Sequence, residues 1–328
     1  MKKVLSLILA LAMVFALVAC GEKQPATDGD ASSDGDKPAR GNVIMTFGTA
    51  DTGGSMYPAG AAVSQVWTNN VEGVKCNTQT STGSFQNCQD VSTGEVDVAV
   101  ATSDVVLNAY NGTGKFADIG KLDNLRVIGA VYTSVLSGVA LKSSGLTYIH
   151  DLLGKRVAVG PAASATENAT LAAFAAMDIT KDNTSLENLG LGDGILDAAF
   201  GFAGLPIGGQ LNLAATKEIQ VLDMTQEEID KVLAGNAAYI QTKIPAGTYT
   251  GQDNDANTFG VKCLIIVTAD MDADLVYDLC KAMNEHTEEL AAGNALLKDM
   301  TDPSFLCTQM PIPLHDGAQK YYSEQGLI

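Results

Sequence analysis

Positive charge is scarce in this 328-residue sequence, which has 20 Lys and Arg residues against 38 Asp and Glu. The formal net charge of −18 would repel polyanions, and the chain lacks the basic footprint that nucleic-acid binding requires. Nucleic acid is therefore excluded as a partner. Long-range attraction of a small anionic ligand is also disfavoured, so local dipoles or one well-placed cation would have to hold such a ligand.

Residues for catalysis are few as well. The only histidines are His150, His286 and His315, and no phosphate-loop, G-x-S-x-G, H-E-x-x-H or S-x-x-K motif occurs in the right context. Asp97 and Asp197 are the one candidate acid/base pair, and carboxylates that organise turns are the alternative interpretation. No enzymatic activity and no cofactor are expected.

Cysteine is infrequent, and its spacing is not that of a metal site. Beyond Cys20 there are five cysteines, an odd number, so at least one must be unpaired or bridged elsewhere. No pair has C-x-x-C spacing, which disfavours zinc. Export would favour disulfides, whereas the apolar surroundings of several of these residues favour buried thiols, and the pairing stays open.

Only one apolar run is long, and it stands at the start of the chain. Lys2 and Lys3 precede about 16 apolar residues, fewer than the roughly 20 that cross a bilayer as a helix. The run ends in Leu-Val-Ala-Cys, which resembles a bacterial lipobox, so residues 1–19 are predicted to be a lipoprotein signal peptide and Cys20 the lipidated residue. A plain secretory signal with an incidental cysteine is the alternative. Residues 20–41, rich in Gly, Ser, Asp and Pro, are predicted to be a flexible tether.

The remaining chain predicts an α/β fold. With 46% hydrophobic residues it is long enough for two domains. Strand and helix patterns alternate in a βαβαβ order that is typical of a parallel sheet. Strands are expected near residues 43–48, 74–80, 96–101, 156–160 and 259–267, a further strand or a short helix near 195–200, and helices near 58–69, 84–92, 166–177 and 273–286. The apolar stretch 127–141 is interpreted as two strands meeting at a crossover, with a hinge as one possibility.

A faint internal repeat indicates two similar lobes. The segments beginning at Gly94 and Gly194 both read G-x-x-D-x-A, and each follows a strand, a small-residue loop and a helix. The elements after Pro245 come later than the second lobe, so the simplest topology returns the chain to the first.

Three loops between a predicted strand and a predicted helix are rich in glycine and hydroxyl residues, at positions 49–57, 81–87 and 160–166. In parallel α/β sheets the crevice at the carboxyl ends of the strands is the usual ligand position. Helix amino ends bind carboxylates or phosphates through free N–H groups. The alternative is that Ser84, Ser164 and Thr166 only cap helices.

The order of several short motifs resembles a known family. They are Gly53-Gly54-Ser55-Met56-Tyr57-Pro58, Thr82-Gly83-Ser84-Phe85-Gln86-Asn87, Gly94-Glu95-Val96-Asp97, Ala109-Tyr110-Asn111-Gly112, Ile244-Pro245-Ala246-Gly247 and Pro311-Ile312-Pro313-Leu314-His315-Asp316-Gly317. Over nearly the whole chain after the leader, the sequence is similar to the extracytoplasmic solute receptors of TRAP transporters, specifically the TAXI family.

This resemblance implies a two-lobe periplasmic-binding-protein type II fold with hinge strands between the lobes. Lobe 1 would comprise residues 43–133 and 260–328, and lobe 2 residues 134–259. The receptor would bind a small anionic or zwitterionic solute, an organic acid or an amino acid of the glutamate or dicarboxylate type. It would deliver the solute to the membrane subunits of a TRAP permease from an extracytoplasmic position, anchored to the membrane through Cys20.

The resemblance also implies the ligand-binding residues. They are Thr49, Gly53, Gly54, Ser55, Tyr57, Ser84, Asn87, Ser103, Ala163, Ser164, Thr166 and Gly204. Met56 and the run 162–166 depart from the usual family forms, which leaves the ligand's identity open. Arg126 is a candidate cation or a brace at the hinge. A solute receptor of ABC type and an exported hydrolase or lyase are the alternative functions.

Overall fold

The computed structural model describes residues 41–52, 54–162, 164–189 and 196–328. The predicted signal peptide, Cys20 and nearly all of the predicted tether lie outside these residues, as do Gly53, Ala163 and Gly194. Among the helices of the described ranges, none combines the length and apolar character that a membrane span requires.

One sheet of ten strands runs through the described residues. The strands are β1 (Val43–Gly48), β2 (Val74–Gln79), β3 (Val98–Thr102), β4 (Leu125–Leu141), β5 (Arg156–Ala158), β6 (Ser185–Glu187), β7 (Ala198–Ala203), β8 (Ile219–Val221), β9 (Tyr239–Ile244) and β10 (Ala256–Thr268). Their order is β2-β1-β3-β10-β4-β7-β5-β6, with β9 beside β10 and β8 beside β4.

Ten α-helices of the described ranges cover the sheet. They are α1 (Met56–Asn70), α2 (Ser84–Thr93), α3 (Ser103–Asn111), α4 (Ala165–Ala175), α5 (Gly208–Ala214), α6 (Gln226–Gly235), α7 (Ala273–Glu285), α8 (Thr287–Gly293), α9 (Pro303–Cys307) and α10 (Asp316–Glu324). A 3₁₀ helix, Ala295–Thr301, joins α8 to α9. The α/β class predicted from the alternating patterns is confirmed.

The prediction of two strands within residues 127–141 is wrong, because β4 is a single strand of 17 residues. Thr133 and Ser134 looked like a break in the apolar pattern, but both are satisfied inside the sheet. The Thr133 hydroxyl donates to Asp299 at 2.9 Å, and the Ser134 hydroxyl lies 3.3 Å from the thiol of Cys263. Paired side by side, β4 and β10 form the spine of the sheet.

The sheet has two halves on this spine. In the first half β2, β1 and β3 are parallel and join the later part of β10; in the second half β6, β5 and β7 are parallel and join the later part of β4. The predicted lobe boundaries at 133/134 and 259/260 fall inside β4 and β10, which run without a break through both halves.

Each half buries its own hydrophobic cores. In the first half Phe47 stacks on Trp67 with ring centroids 5.4 Å apart, and both side chains are fully buried. In the second half Phe174 meets Phe200 edge to face at 5.4 Å. The last part of the chain returns to the first half, where the Tyr322 hydroxyl donates to the carbonyl of Ile128 in β4 at 2.9 Å. This return agrees with the topology expected from the sequence.

Candidate functional site

The carboxyl ends of the two sets of parallel strands point at each other across the middle of the spine. Thr102, at the end of β3, pairs with Cys263. Ala203, at the end of β7, pairs with Val135, which itself pairs with Gly260. Three residues of β10 separate these levels, about 10 Å along the strand. We call the region between the two sets of strand ends the interlobe junction.

Four helices of at least nine residues begin at this junction. Their N-cap residues are Ser55 for α1, Gly83 for α2, Thr102 for α3 and Ser164 for α4. The loops that lead into them, residues 49–55, 80–83 and 159–164, contain no Lys or Arg. Within these loops, positive potential therefore comes from backbone N–H groups and helix dipoles, which favour an anion.

In the first half, the predicted contacts Asn87 and Thr49 are joined by a hydrogen bond, and Ser84 is bonded separately to Thr102. Asn87 is fully buried, and its side-chain nitrogen donates to the carbonyls of Thr49 and Val100, each at 2.6 Å. The Thr49 hydroxyl donates to the carbonyl of Gln79 at 2.7 Å. The Ser84 hydroxyl accepts from the backbone N–H of Thr102 at 3.0 Å. These side chains fix the strand ends and so position the loops.

The start of α1 is more open. Gly54 is exposed, and Ser55 and Tyr57 are partly buried. Among the described residues, no hydrogen-bond partner is found for the side chains of Ser55 and Tyr57. Of the predicted contacts in the first half, these two have polar side chains that remain available to a ligand. Gly53 lies outside the described residues.

Ser103 joins the two halves directly. Its buried hydroxyl donates to the carbonyl of Ala238, just before β9, at 3.2 Å. The neighbouring Asp104 was not predicted as a site residue. Its Oδ1 atom is buried with no hydrogen-bond partner in the described part of the chain. Burial raises the pKa of the Asp104 carboxyl, against the opposing effect of hydrogen bonds from Thr102 and the first turn of α3.

In the second half, the predicted hydroxyl residues again have structural partners. Ser164 caps α4, since its hydroxyl accepts from the backbone N–H of Glu167 at 3.1 Å. The Thr166 hydroxyl accepts from the backbone N–H of Phe202 in β7 at 3.2 Å and so ties α4 to the sheet. The capping alternative accounts for Ser164. Ala163 lies outside the described residues.

Gly204 follows β7 and faces a side chain of the first half. A methyl group added at this position would overlap Leu296 and lie 3.2 Å from Tyr132. The residue is therefore packed at the junction against the end of the Leu296 side chain.

Asp97 and Asp197 have the same role in the two halves. Asp97 accepts from the backbone N–H of Thr46 at 2.7 Å, and Asp197 accepts from that of Arg156 at 2.8 Å. Each aspartate stands just before a strand, β3 or β7, at the end away from the junction. They organise turns and are too far apart to act as an acid/base pair.

Two further candidates are also placed away from the strand ends at the junction. The Arg126 guanidinium donates to the carbonyls of Asp123 and Leu125, at the start of β4. It braces a turn far from the junction. His315 is buried and caps α10, its Nδ1 accepting from the backbone N–H of Gly317 at 3.2 Å, in keeping with a packing role.

The five cysteines of the described ranges are buried and unbridged. Burial raises the pKa of the Cys76 and Cys263 thiols to about 11, so neither is a ready nucleophile. Within the described residues, no group of three or more metal-ligating side chains comes together.

Several solved structures are similar to this chain. The alkanesulfonate-binding protein SsuA from Xanthomonas axonopodis pv. citri, bound to MOPS, is 14% identical, with 87% of this chain and 85% of that chain covered and a TM-score of 0.47. PhnD1 from Prochlorococcus marinus (MIT 9301), in complex with methylphosphonate, is 9% identical, with 87% and 99% covered and a TM-score of 0.48. The periplasmic aliphatic sulphonate binding protein SsuA from Escherichia coli is 12% identical, with 86% and 82% covered and a TM-score of 0.45.

The family of this chain is shown by its sequence rather than by the solved structures. A profile of the NMT1-like family matches residues 47–326, from β1 to the end of the last helix. Because this match spans most of the sequence, the chain belongs to the NMT1-like family.

Proposed function

We propose that this protein is an extracytoplasmic receptor that binds a small acidic solute at the interlobe junction and delivers it to a membrane permease. The observation that carries this proposal is the convergence of the amino ends of α1 to α4 on one region without a lysine or arginine in the loops. Such a region can hold a carboxylate through backbone N–H groups while the rest of the acidic chain stays soluble.

Binding without chemistry is favoured over catalysis. The two aspartates of the candidate acid/base pair accept hydrogen bonds from backbone N–H groups in turns, and the described thiols are buried. The strand pair β4 and β10 offers a spine about which two halves can close on a solute and release it unchanged.

The solute class is tested with a panel of amino acids, dicarboxylates and 2-oxo acids in thermal unfolding and calorimetry, each acid paired with its uncharged amide. We expect at least one acid to raise the melting temperature in a saturable way, its amide to have no effect, and the acid to be recovered unchanged. Turnover of the acid would instead support the hydrolase or lyase alternative, and binding of the amides alone would contradict recognition of an anion.

A charge substitution locates the site. Asp in place of Ser55 puts a carboxylate at the start of α1, where it would compete with an anionic solute. We expect Ser55→Asp to weaken binding by about tenfold or more. Ser323→Asp, on the exposed face of α10, is the matched control and should leave binding unchanged. Equal affinity of the two variants would place the solute elsewhere.

The proposal also includes a permease partner and a membrane anchor. We propose a TRAP-type permease, with an ABC-type permease as the alternative, and lipidation of Cys20. Reconstituted uptake that proceeds without ATP supports the first partner, and uptake that requires ATP supports the second. Mass spectrometry of the N-terminal peptide, together with release of a Cys20→Ser variant into the medium, tests the anchor.

A further inference from the structure

Residues 311–315, which we call the C-terminal strap, lie along the edge of β4 that faces away from β10. The backbone N–H of Val127 donates to the carbonyl of Pro313 at 3.1 Å, and the N–H of His315 donates to the carbonyl of Val127 at 2.9 Å. The strap leads directly into α10, whose Tyr322 is fully buried in the core of the first half. Residues 311–328 are therefore held on the first half by this pairing and by the packing of α10.

His315 stands where the strap meets α10, and it is only 1% exposed. Its Nδ1 atom accepts from the backbone N–H of Gly317 at 3.2 Å and so caps the helix. Nδ1 can accept this hydrogen bond only while it carries no proton, so the cap requires a neutral ring. The capped turn is packed closely on α7, since a methyl group at Gly317 would overlap the carbonyl oxygen of Ala273.

The surroundings of the ring disfavour its charged form. Among the described residues, the charged groups that face it are Asp316 on α10, Asp270 in the turn between β10 and α7, and Arg126 at the start of β4. Burial lowers the pKa of His315, and Arg126 acts in the same direction. The carboxylates and the backbone carbonyls of the turn favour the imidazolium, but they do not outweigh burial.

Protonation of the ring puts a donor where the first turn of α10 needs an acceptor, and it puts a charge in a buried place. Both effects act at the point where the strap joins the helix. We propose that His315 is an acid-sensitive latch, which holds residues 311–328 on the first half while the ring is neutral and releases them when the ring gains a proton. The latch does not depend on the proposed solute site, because Val127 lies near the start of β4, far from the junction.

Amide hydrogen exchange of the full-length protein tests the latch, with the protection of each segment compared at pH 7.5 and pH 5.5. A histidine whose pKa is lowered by folding binds protons more readily in the released state, so the stability of the latch is lost as pH falls below the ordinary value of about 6.5. We expect protection of residues 311–328 to fall about threefold to tenfold more than that of β5 and β7 in the second half.

Two asparagine variants make this result specific. Asparagine also caps helices but does not titrate, so His315→Asn should keep the protection of residues 311–328 at pH 7.5 and abolish the additional loss at pH 5.5. His286→Asn is the matched control, because His286 is partly exposed beside Glu289. It should respond to acid as the unsubstituted chain does.

Nuclear magnetic resonance of the histidine rings keeps the test valid should His315→Asn fail to fold. The chain has three histidines, so His150→Asn and His286→Asn identify the remaining ring signal as that of His315 without changing it. We expect this signal to titrate below pH 6.5. Titration at or above pH 6.5 would overturn the latch. So would an equal loss of protection in His315→Asn, a loss spread evenly over both halves, or no loss in the unsubstituted chain.

Discussion

Two aspartates of the described chain have opposite environments. Asp104 is partly buried near the junction, with its Oδ1 atom inaccessible, and burial raises the pKa of its carboxyl. Asp151 accepts from the backbone N–H groups of Tyr148 and Thr147, and these hydrogen bonds lower its pKa. The charged form of Asp104 is thus disfavoured by folding, and that of Asp151 is favoured.

This contrast predicts opposite effects of the same substitution. At pH 7, Asp104→Asn should raise the melting temperature. This gain should shrink as the pH falls through the raised pKa of folded Asp104 toward the ordinary aspartate pKa of about 3.9. The reason is that the native carboxyl then becomes neutral, like the asparagine that replaces it. Asp151→Asn should lower the melting temperature at pH 7, and this loss should disappear as pH falls below 3.9 toward the lowered pKa. Thermal unfolding between pH 3 and pH 8 measures both differences.

Each variant is the control for the other, since both remove one negative charge. A stabilisation by Asp104→Asn that is the same at every pH would mean that lost self-repulsion, rather than burial, is responsible. A destabilisation by Asp104→Asn at pH 7 would show that the hydrogen bonds from Thr102 and the first turn of α3 outweigh the effect of burial.

The residue types in the sequence predicted where polar side chains lie together, but not which hydrogen bonds each side chain makes. The hydroxyl residues near Ser84 and Thr166 do lie at strand ends, as the loop composition indicated. Their partners are backbone groups of strands distant in sequence, Thr102 and Phe202, and no local pattern encodes these pairings. Asp104 carried one signal that was available, an acidic residue directly after a buried strand. Nothing in the sequence distinguished Leu296.

At the scale of elements, periodicity predicted β1, β2, β3, α1, α2 and α7 of the first half within a few residues, whereas α3, α8 and α9 were not predicted. It failed on β4, where two polar residues in an apolar run imitated a break, although Asp299 and Cys263 satisfy them from remote parts of the chain. Most elements between residues 204 and 244 were not predicted, because β8 and β9 are short and gain their stability from pairing with β4 and β10.

The repeat G-x-x-D-x-A indicated equivalent turns, and this equivalence is testable. Removing either carboxylate takes away the acceptor of one backbone N–H, that of Thr46 in β1 or that of Arg156 at the start of β5. We expect Asp97→Ala and Asp197→Ala each to lower the free energy of unfolding by about 1 kcal/mol, with unchanged affinity for any acid that binds. Chemical denaturation and calorimetry measure the two quantities. A large loss of affinity with normal stability in either variant would revive a direct role for that aspartate.

At the scale of the whole molecule, a solute held by helix amino ends should leave a characteristic pattern of protection. If the proposed site takes its N–H groups from the junction alone, amide hydrogen exchange should slow in residues 49–57, 81–87, 102–104 and 160–166 when a binding acid is added. The turns before β3 and β7, around Asp97 and Asp197, lie at the opposite ends of the strands and should exchange at the same rate with and without the acid. These distal turns are an internal control for general stabilisation. Uniform slowing across both ends would mean that the acid stabilises the fold without residing at the junction, whereas slowing confined to the second half would place the site away from α1, α2 and α3.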